Sequence, residues 1–183
     1  MTSSAWRTGR CTARWGLAAF AIAPFCFAQA PSKAPQNLAT GLAVLERFAG
    51  TWDVTVKTRR PKASVMTHTL TYEWVLGHRY LLGDSGAKSD GTQDLDMLTY
   101  DPQTGNYPLW IFQSSGTSLY LPRGVWDEAS RTMTWKSLPT DVVSYATSCT
   151  FESATTERCS VLVKNWMGAV LLEQESVAIR RKP

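Results

Sequence analysis

The stretch Phe48-Ala49-Gly50-Thr51-Trp52-Asp53-Val54-Thr55-Val56 decides the fold, because a helical pattern stops at Gly50 and a strict alternation begins at Trp52. Before it, Leu38, Leu42, Leu45 and Ala49 recur at helical spacing, with Val44 and Phe48 widening the stripe and Asn37 placed to cap the first turn. The apolar face of this short helix has no second helical pattern to pack on. It is therefore expected to lie against a sheet or close the end of a barrel. After it, Trp52, Val54 and Val56 point one way while Asp53, Thr55 and Lys57 point the other, which is the period of a strand with one buried face.

The same alternation continues downstream. Met66, His68, Leu70, Tyr72 and Trp74 share one face of the next strand, and Val65, Thr67, Thr69, Thr71 and Glu73 the other. Gly77-His78 predicts a tight turn into residues 79–82, and the polar residues 83–92 a loop. Further strands are expected over 95–100, 107–113, 118–126, 131–137, 142–151, 159–166 and 170–179. About ten strands joined by short turns would leave exposed edges in a flat sheet, and closure into an up-and-down barrel removes them. A sandwich with crossing connections is the competing architecture, but turns this short suit adjacent antiparallel strands.

The first residues read separately. Arg7, Arg10 and Arg14 precede an apolar run from Trp15 to Phe27, no acidic residue occurs before Glu46, and small residues close the run. This is the pattern of a cleavable secretory leader over residues 1–28, followed by a polar tether over 29–36 and one barrel domain over 37–183. The run is roughly 13 residues, short of the ~20 that a spanning helix needs. The expected product is secreted, with the periplasm as its compartment and no membrane span in the mature chain. Loss of the leader leaves 16 basic against 15 acidic residues, a net charge of +1, which is no footprint for nucleic acid. Of the four cysteines only Cys149 and Cys159 remain, and in an oxidising compartment they most simply bridge a hairpin. If they are cross-strand partners, the hairpin is centred on Ala154 and Phe151 sits opposite Glu157.

Three further segments add to the Gly50-x-Trp52 strand entry: Tyr100-Asp101-Pro102-Gln103-Thr104-Gly105-Asn106-Tyr107 with Trp110, then Gly116-Thr117, then Gly124-Val125-Trp126-Asp127. Together they resemble an exported bacterial family of unknown function built as a calycin-like barrel, related in shape to lipocalins and fatty-acid-binding proteins. The resemblance covers about residues 38–179, and its motifs are turn and packing residues. It implies structural roles for Gly50 and Trp52, and for Arg180 a place over the Trp52 ring, as calycins commonly set a last-strand arginine on the entry tryptophan.

A barrel of this size can hold a small molecule, so its interior is the default site. Met66, His68, Leu70, Tyr72, Trp74, Met133, Trp135, Tyr145 and Phe151 are the expected lining, an aromatic and apolar wall in which His68 is the one polar handle. The expected partner is a small apolar or amphipathic ligand, with no cofactor and no metal. His68 and His78 lack a third ligand, no histidine follows them where haem-binding barrels place theirs, and Asp84, Asp90, Asp94 and Asp96 fit no calcium-loop pattern and read as a solvated loop. No nucleophile elbow or phosphate-cradling glycine loop occurs. Two other readings stay open: an isomerase or hydrolase using His68 as general acid or base on a hydrophobic substrate, and an envelope interaction module with a filled core.

Overall fold

The computed structural model describes residues 37–182; the expected leader over 1–28, the expected tether over 29–36 and the last residue lie outside the described residues. One helix, α1 (Leu38–Leu45), precedes eleven strands: β1 (Gly50–Arg60), β2 (Ser64–Val75), β3 (Tyr80–Asp84), β4 (Asp94–Leu98), β5 (Leu109–Gln113), β6 (Ser118–Leu121), β7 (Gly124–Asp127), β8 (Thr132–Lys136), β9 (Val143–Phe151), β10 (Thr156–Asn165) and β11 (Val170–Arg180). All pair antiparallel in one sheet of order β6-β5-β4-β3-β2-β1-β11-β10-β9-β8-β7. The first and last strands are therefore neighbours. Trp52 pairs with Arg180 and Val54 with Ala178, which curls the meander into a nearly closed barrel.

The remaining gap falls between β6 and β7, where the sequence reading expects one strand over 118–126. Pro122 has no N–H to give a ladder, so the segment breaks there and the two pieces become the free edges of the sheet. Backbone contact still bridges the gap at one point. Tyr107 N donates to Gly124 O at 2.9 Å, and Trp135 Nε1 donates to Tyr107 O at 2.8 Å. A Cβ on Gly124 would stand 2.3 Å from Tyr107 O, so only glycine lets the two backbones approach this closely.

Helix α1 seals one end. The Asn37 side chain accepts from Ala39 N at 3.1 Å, as an N-cap does, and Val44, Leu45 and the following Phe48 are buried. The helix ends at Leu45 with Glu46 as its C-cap, short of the Gly50 stop the sequence suggests, and Gly50 opens β1 at φ +111°, a conformation that costs an L side chain strain. Trp52, 1 % exposed, donates its Nε1 proton to Phe48 O at 2.7 Å, and the Arg180 guanidinium lies 4.1 Å above its ring. Arg180 also donates to the carbonyls of Arg47, Ala49 and Ala154, so it ties the end of β11 to the residues after α1. Phe151 packs against Phe48, Trp52 and Trp126, with ring centroids at 4.9, 6.2 and 6.2 Å, and completes an aromatic plug.

The hairpin β9–β10 has the register the cysteine spacing requires. Cys149 is disulfide-bonded to Cys159, the two residues pair across the strands, and Phe151 stands opposite Glu157.

Candidate functional site

A cavity of about 450 Å³ occupies the barrel interior. Its opening lies beside the β3–β4 and β5–β6 loops, where Asp90, Ser114 and Ser115 are exposed, and its deep end is buried against Phe48. The wall is built by the inward half of each alternating strand. Val54 and Val56 come from β1; Met66, His68, Leu70 and Tyr72 from β2; Leu109 and Ile111 from β5; Ala178 from β11. Period-two alternation puts these side chains on one face, and curling the sheet makes that face the interior.

Five of the nine residues expected to line the interior do so: Met66, His68, Leu70, Tyr72 and Trp135. The other four have the right strand phase but lie outside the cavity wall, which corrects that expectation. Phe151 is spent in the aromatic plug, and Met133 is wholly buried in the surrounding core. Trp74 sits at the far end of β2, stacked at 4.0 Å on the ring of His78, and Tyr145 lies near Arg123 and Asp141. Strand phase decides which face a side chain takes, whereas its height along the barrel decides whether it meets the cavity or the plug.

The polar content of the cavity is the larger departure from the sequence reading, which treats Asp94 and Asp96 as solvated acids even though Asp96 falls within its expected strand over 95–100. They belong to β4, and alternation turns Asp94, Asp96 and Leu98 inward while Leu95 and Met97 face out. Asp94 forms an ion pair with Lys88, whose side chain folds over the opening and is only 9 % exposed. Asp96 accepts from the Tyr72 hydroxyl at 3.2 Å. That bond depends on a glycine. Tyr72 pairs with Gly83 and Gly83 with Asp96 across three strands, and the Tyr72 ring lies over Gly83 so closely that a Cβ there would stand 2.4 Å from it.

Glu157 is a second inward acid and is buried. It lines the cavity at 6 % exposure, and its Oε1 has no hydrogen-bond partner. Burial pushes its carboxyl up to about 8 against a smaller opposing pull from Arg180, and burial pushes Asp96 up to about 7 although the Tyr72 hydroxyl opposes it. Tyr72 is raised well above its ordinary range by burial and by the two acids. His68 is pushed down by burial and by the Lys88 charge, so its ring is neutral at pH 7, and its Nδ1 is also without a partner. Glu157 clusters with the sulfurs of Cys149 and Cys159, within 4.8 Å, yet the disulfide occupies both sulfurs and leaves no thiolate for a metal.

The cysteine spacing contains a signal for Glu157 that the sequence reading leaves unused. Directly opposed residues of an antiparallel pair share a face, so placing Phe151 inside and Glu157 opposite it already puts a carboxylate inside the barrel. Asp96 carries no such signal, because β4 has apolar residues on both faces and its phase is ambiguous.

Residues 41–157 match the family described as a protein of unknown function, DUF1579, over more than half of the chain. This chain belongs to DUF1579. The DUF1579 match takes in Tyr72, Gly83, Asp96 and Glu157 and carries no activity with it. Among solved structures, the crystal structure of Rv2717c from M. tuberculosis is similar to this DUF1579 chain with a TM-score of 0.59 and 14 % identity, covering 80 % of this chain and 100 % of the other. At that identity the likeness establishes the barrel fold alone. Looser likenesses are to the S-type phycobiliprotein lyase CPES from Guillardia theta, with 12 % identity, 81 % and 99 % coverage and a TM-score of 0.45, and to a redesigned β-barrel, mFAP1, bound to DFHBI, with 14 % identity, 75 % and 98 % coverage and a TM-score of 0.38. None of the curated proteins matches the sequence.

Proposed function

We propose that this chain is an exported barrel protein that holds one small amphipathic molecule in its interior. The observation that carries the reading is the pair of buried, unpartnered polar atoms in the cavity, Glu157 Oε1 and His68 Nδ1, set in a wall that mixes polar groups with apolar surface. A buried polar atom without a partner costs about 1–3 kcal/mol, and a bound molecule that supplies the partner recovers it. Apolar surface from Val54, Leu70, Leu109 and Ile111 supplies the remaining affinity.

Binding is favoured over catalysis at His68. A general base in this position needs a carboxylate or hydroxyl to orient its ring, and Nδ1 has no such partner. The filled-core reading is disfavoured by the cavity itself. Export rests on the basic, apolar, small-residue order of residues 1–28 and agrees with the Cys149–Cys159 bridge, which an oxidising compartment sustains.

Native mass spectrometry of the oxidised protein, compared with its denatured mass, tests the reading. The expected result is an adduct lost on denaturation. A clean apo mass together with no binding from a panel of amphipathic probes would overturn it. Sequencing the amino terminus of protein recovered from the culture medium or periplasm tests export, with Gln29 expected as the first residue.

A further inference from the structure

We propose that the deep end of the cavity recognises a cation, so that the molecule held there carries a protonated amine or amidine head on an apolar body. This names the ligand class of the binding site proposed above and rests on that reading.

A census of charge inside the barrel supports it. Among the described residues, the ionisable side chains lining the cavity are the acids Asp90, Asp94, Asp96 and Glu157, with His68 and the cation Lys88, and Lys88 is already paired with Asp94. His68 contributes no charge at pH 7. A carboxylate or phosphate head reaching the deep end would meet two acids and no available cation. Arg180 acts electrostatically on Glu157, yet its guanidinium is committed to the carbonyls of Arg47, Ala49 and Ala154 and to the Trp52 face, and it makes no hydrogen bond to Glu157.

The acceptors at the deep end suit an ammonium group, which offers only donors. Glu157 Oε1 is unpartnered. The Tyr72 hydroxyl gives its proton to Asp96 Oδ2, which leaves the phenol oxygen and Asp96 Oδ1 as acceptors, and both acids act electrostatically on Tyr72. Acceptor oxygens from β2, β4 and β10 therefore line the same cavity, and Leu70, Leu98 and Ile111 offer apolar surface for the body of the ligand. In the empty cavity burial raises both carboxyls and favours their protonated forms. A cation among them reverses the balance and expels a proton to solvent.

Isothermal titration of the oxidised protein with octylammonium, 1-octanol and octanoate at pH 7 separates the outcomes, since the three probes share one tail and differ in head charge. Octylammonium is expected to bind about tenfold or more tighter than octanol, and octanoate weaker than both. Repeating the titration in buffers of different ionisation heat is expected to show net proton release for octylammonium alone. Glu157→Gln keeps the shape and removes the charge. It is expected to bring the ammonium-to-octanol ratio to within about threefold. Asp96→Asn gives a second reading should Glu157→Gln fail to fold. Octanol or octanoate binding as tightly as octylammonium, or a preference unaltered in both variants, would overturn the cation assignment while the binding reading stands. Binding by none of the three probes would overturn both.

Discussion

Glu157 is held in a way that makes stability depend on pH with a sign opposite to the usual carboxylate. Its folded-state value is raised from 4.5 to about 8, so between those limits the folded chain keeps a proton that the unfolded chain has lost. Stability therefore falls as pH rises through that window, by up to about 1.4 kcal/mol per pH unit for one such group. Asp96, raised from 3.8 to about 7, adds the same sign over its own window. Asp53, Asp84, Asp90 and Asp101 are lowered by their hydrogen-bond donors and act the other way, their contribution being lost as pH falls through the acid range. Urea midpoints of the wild type are expected to fall from pH 5 to pH 8, and those of Glu157→Gln to fall less, leaving the variant the more stable protein at pH 8. Identical slopes would mean that Glu157 is ionised in the folded state. Gly83 is the second residue on which the site turns. Gly83→Ala is expected to push the Tyr72 ring off Asp96 and cost about 1–3 kcal/mol by overpacking, measurable by denaturant unfolding. Neither residue stands out in the sequence. Gly83 looks like the start of a loop, and its purpose shows only when Tyr72 and Asp96 flank it on neighbouring strands.

Among the elements, the β9–β10 hairpin was legible down to its register. The spacing of Cys149 and Cys159 sets the pairing, and the Ser148 and Ser160 hydroxyls, 2.9 Å apart, repeat it one position on. A bridge closing so short a loop contributes about 2–3 kcal/mol, so replacing both cysteines with alanine is expected to lower unfolding free energy by about that amount. Equal stability of the oxidised wild type and the double variant would contradict it. The turn after β2 was legible in place but not in form. Leu76, Gly77 and His78 all take positive φ, which costs the two non-glycine residues about 1–2 kcal/mol each. His78 offsets part of this by stacking on Trp74 and hydrogen-bonding Glu46 at 2.9 Å. Strand β4 was misplaced by one residue at its start, and that residue is Asp94, so the shift concealed an inward acid.

At the scale of the whole molecule the barrel is held shut by two different devices. Pairing of β1 with β11 from Trp52–Arg180 to Arg60–Glu173 joins the first and last strands. The β6/β7 gap is spanned instead by the Tyr107 to Gly124 backbone bond, which Trp135 supports from inside. Trp135→Phe removes the donor to Tyr107 O and leaves that carbonyl unsatisfied, at a cost of about 1–3 kcal/mol. The Tyr107 amide is then expected to exchange its hydrogen faster relative to amides of the β1–β11 ladder. Unchanged exchange there would show that the gap does not depend on the indole.

The sequence by itself determined the strand count to within one, the antiparallel up-and-down order, the capping helix, the disulfide register and the face each β2 side chain takes. Each of these follows from local rules: period-two alternation, turn residues, helix caps and the spacing of two cysteines. Only the tertiary structure decided which inward side chains meet a cavity and which fill the plug, where the sheet stays open, and that the interior holds two acids whose carboxyls burial pushes up. These depend on height along the barrel, on strand stagger and on neighbours far apart in the chain, such as Tyr72, Asp96 and Glu157. Alternation fixes a face, but the surroundings on that face, and with them the charge a carboxyl carries at neutral pH, are set by residues brought together only when the sheet curls.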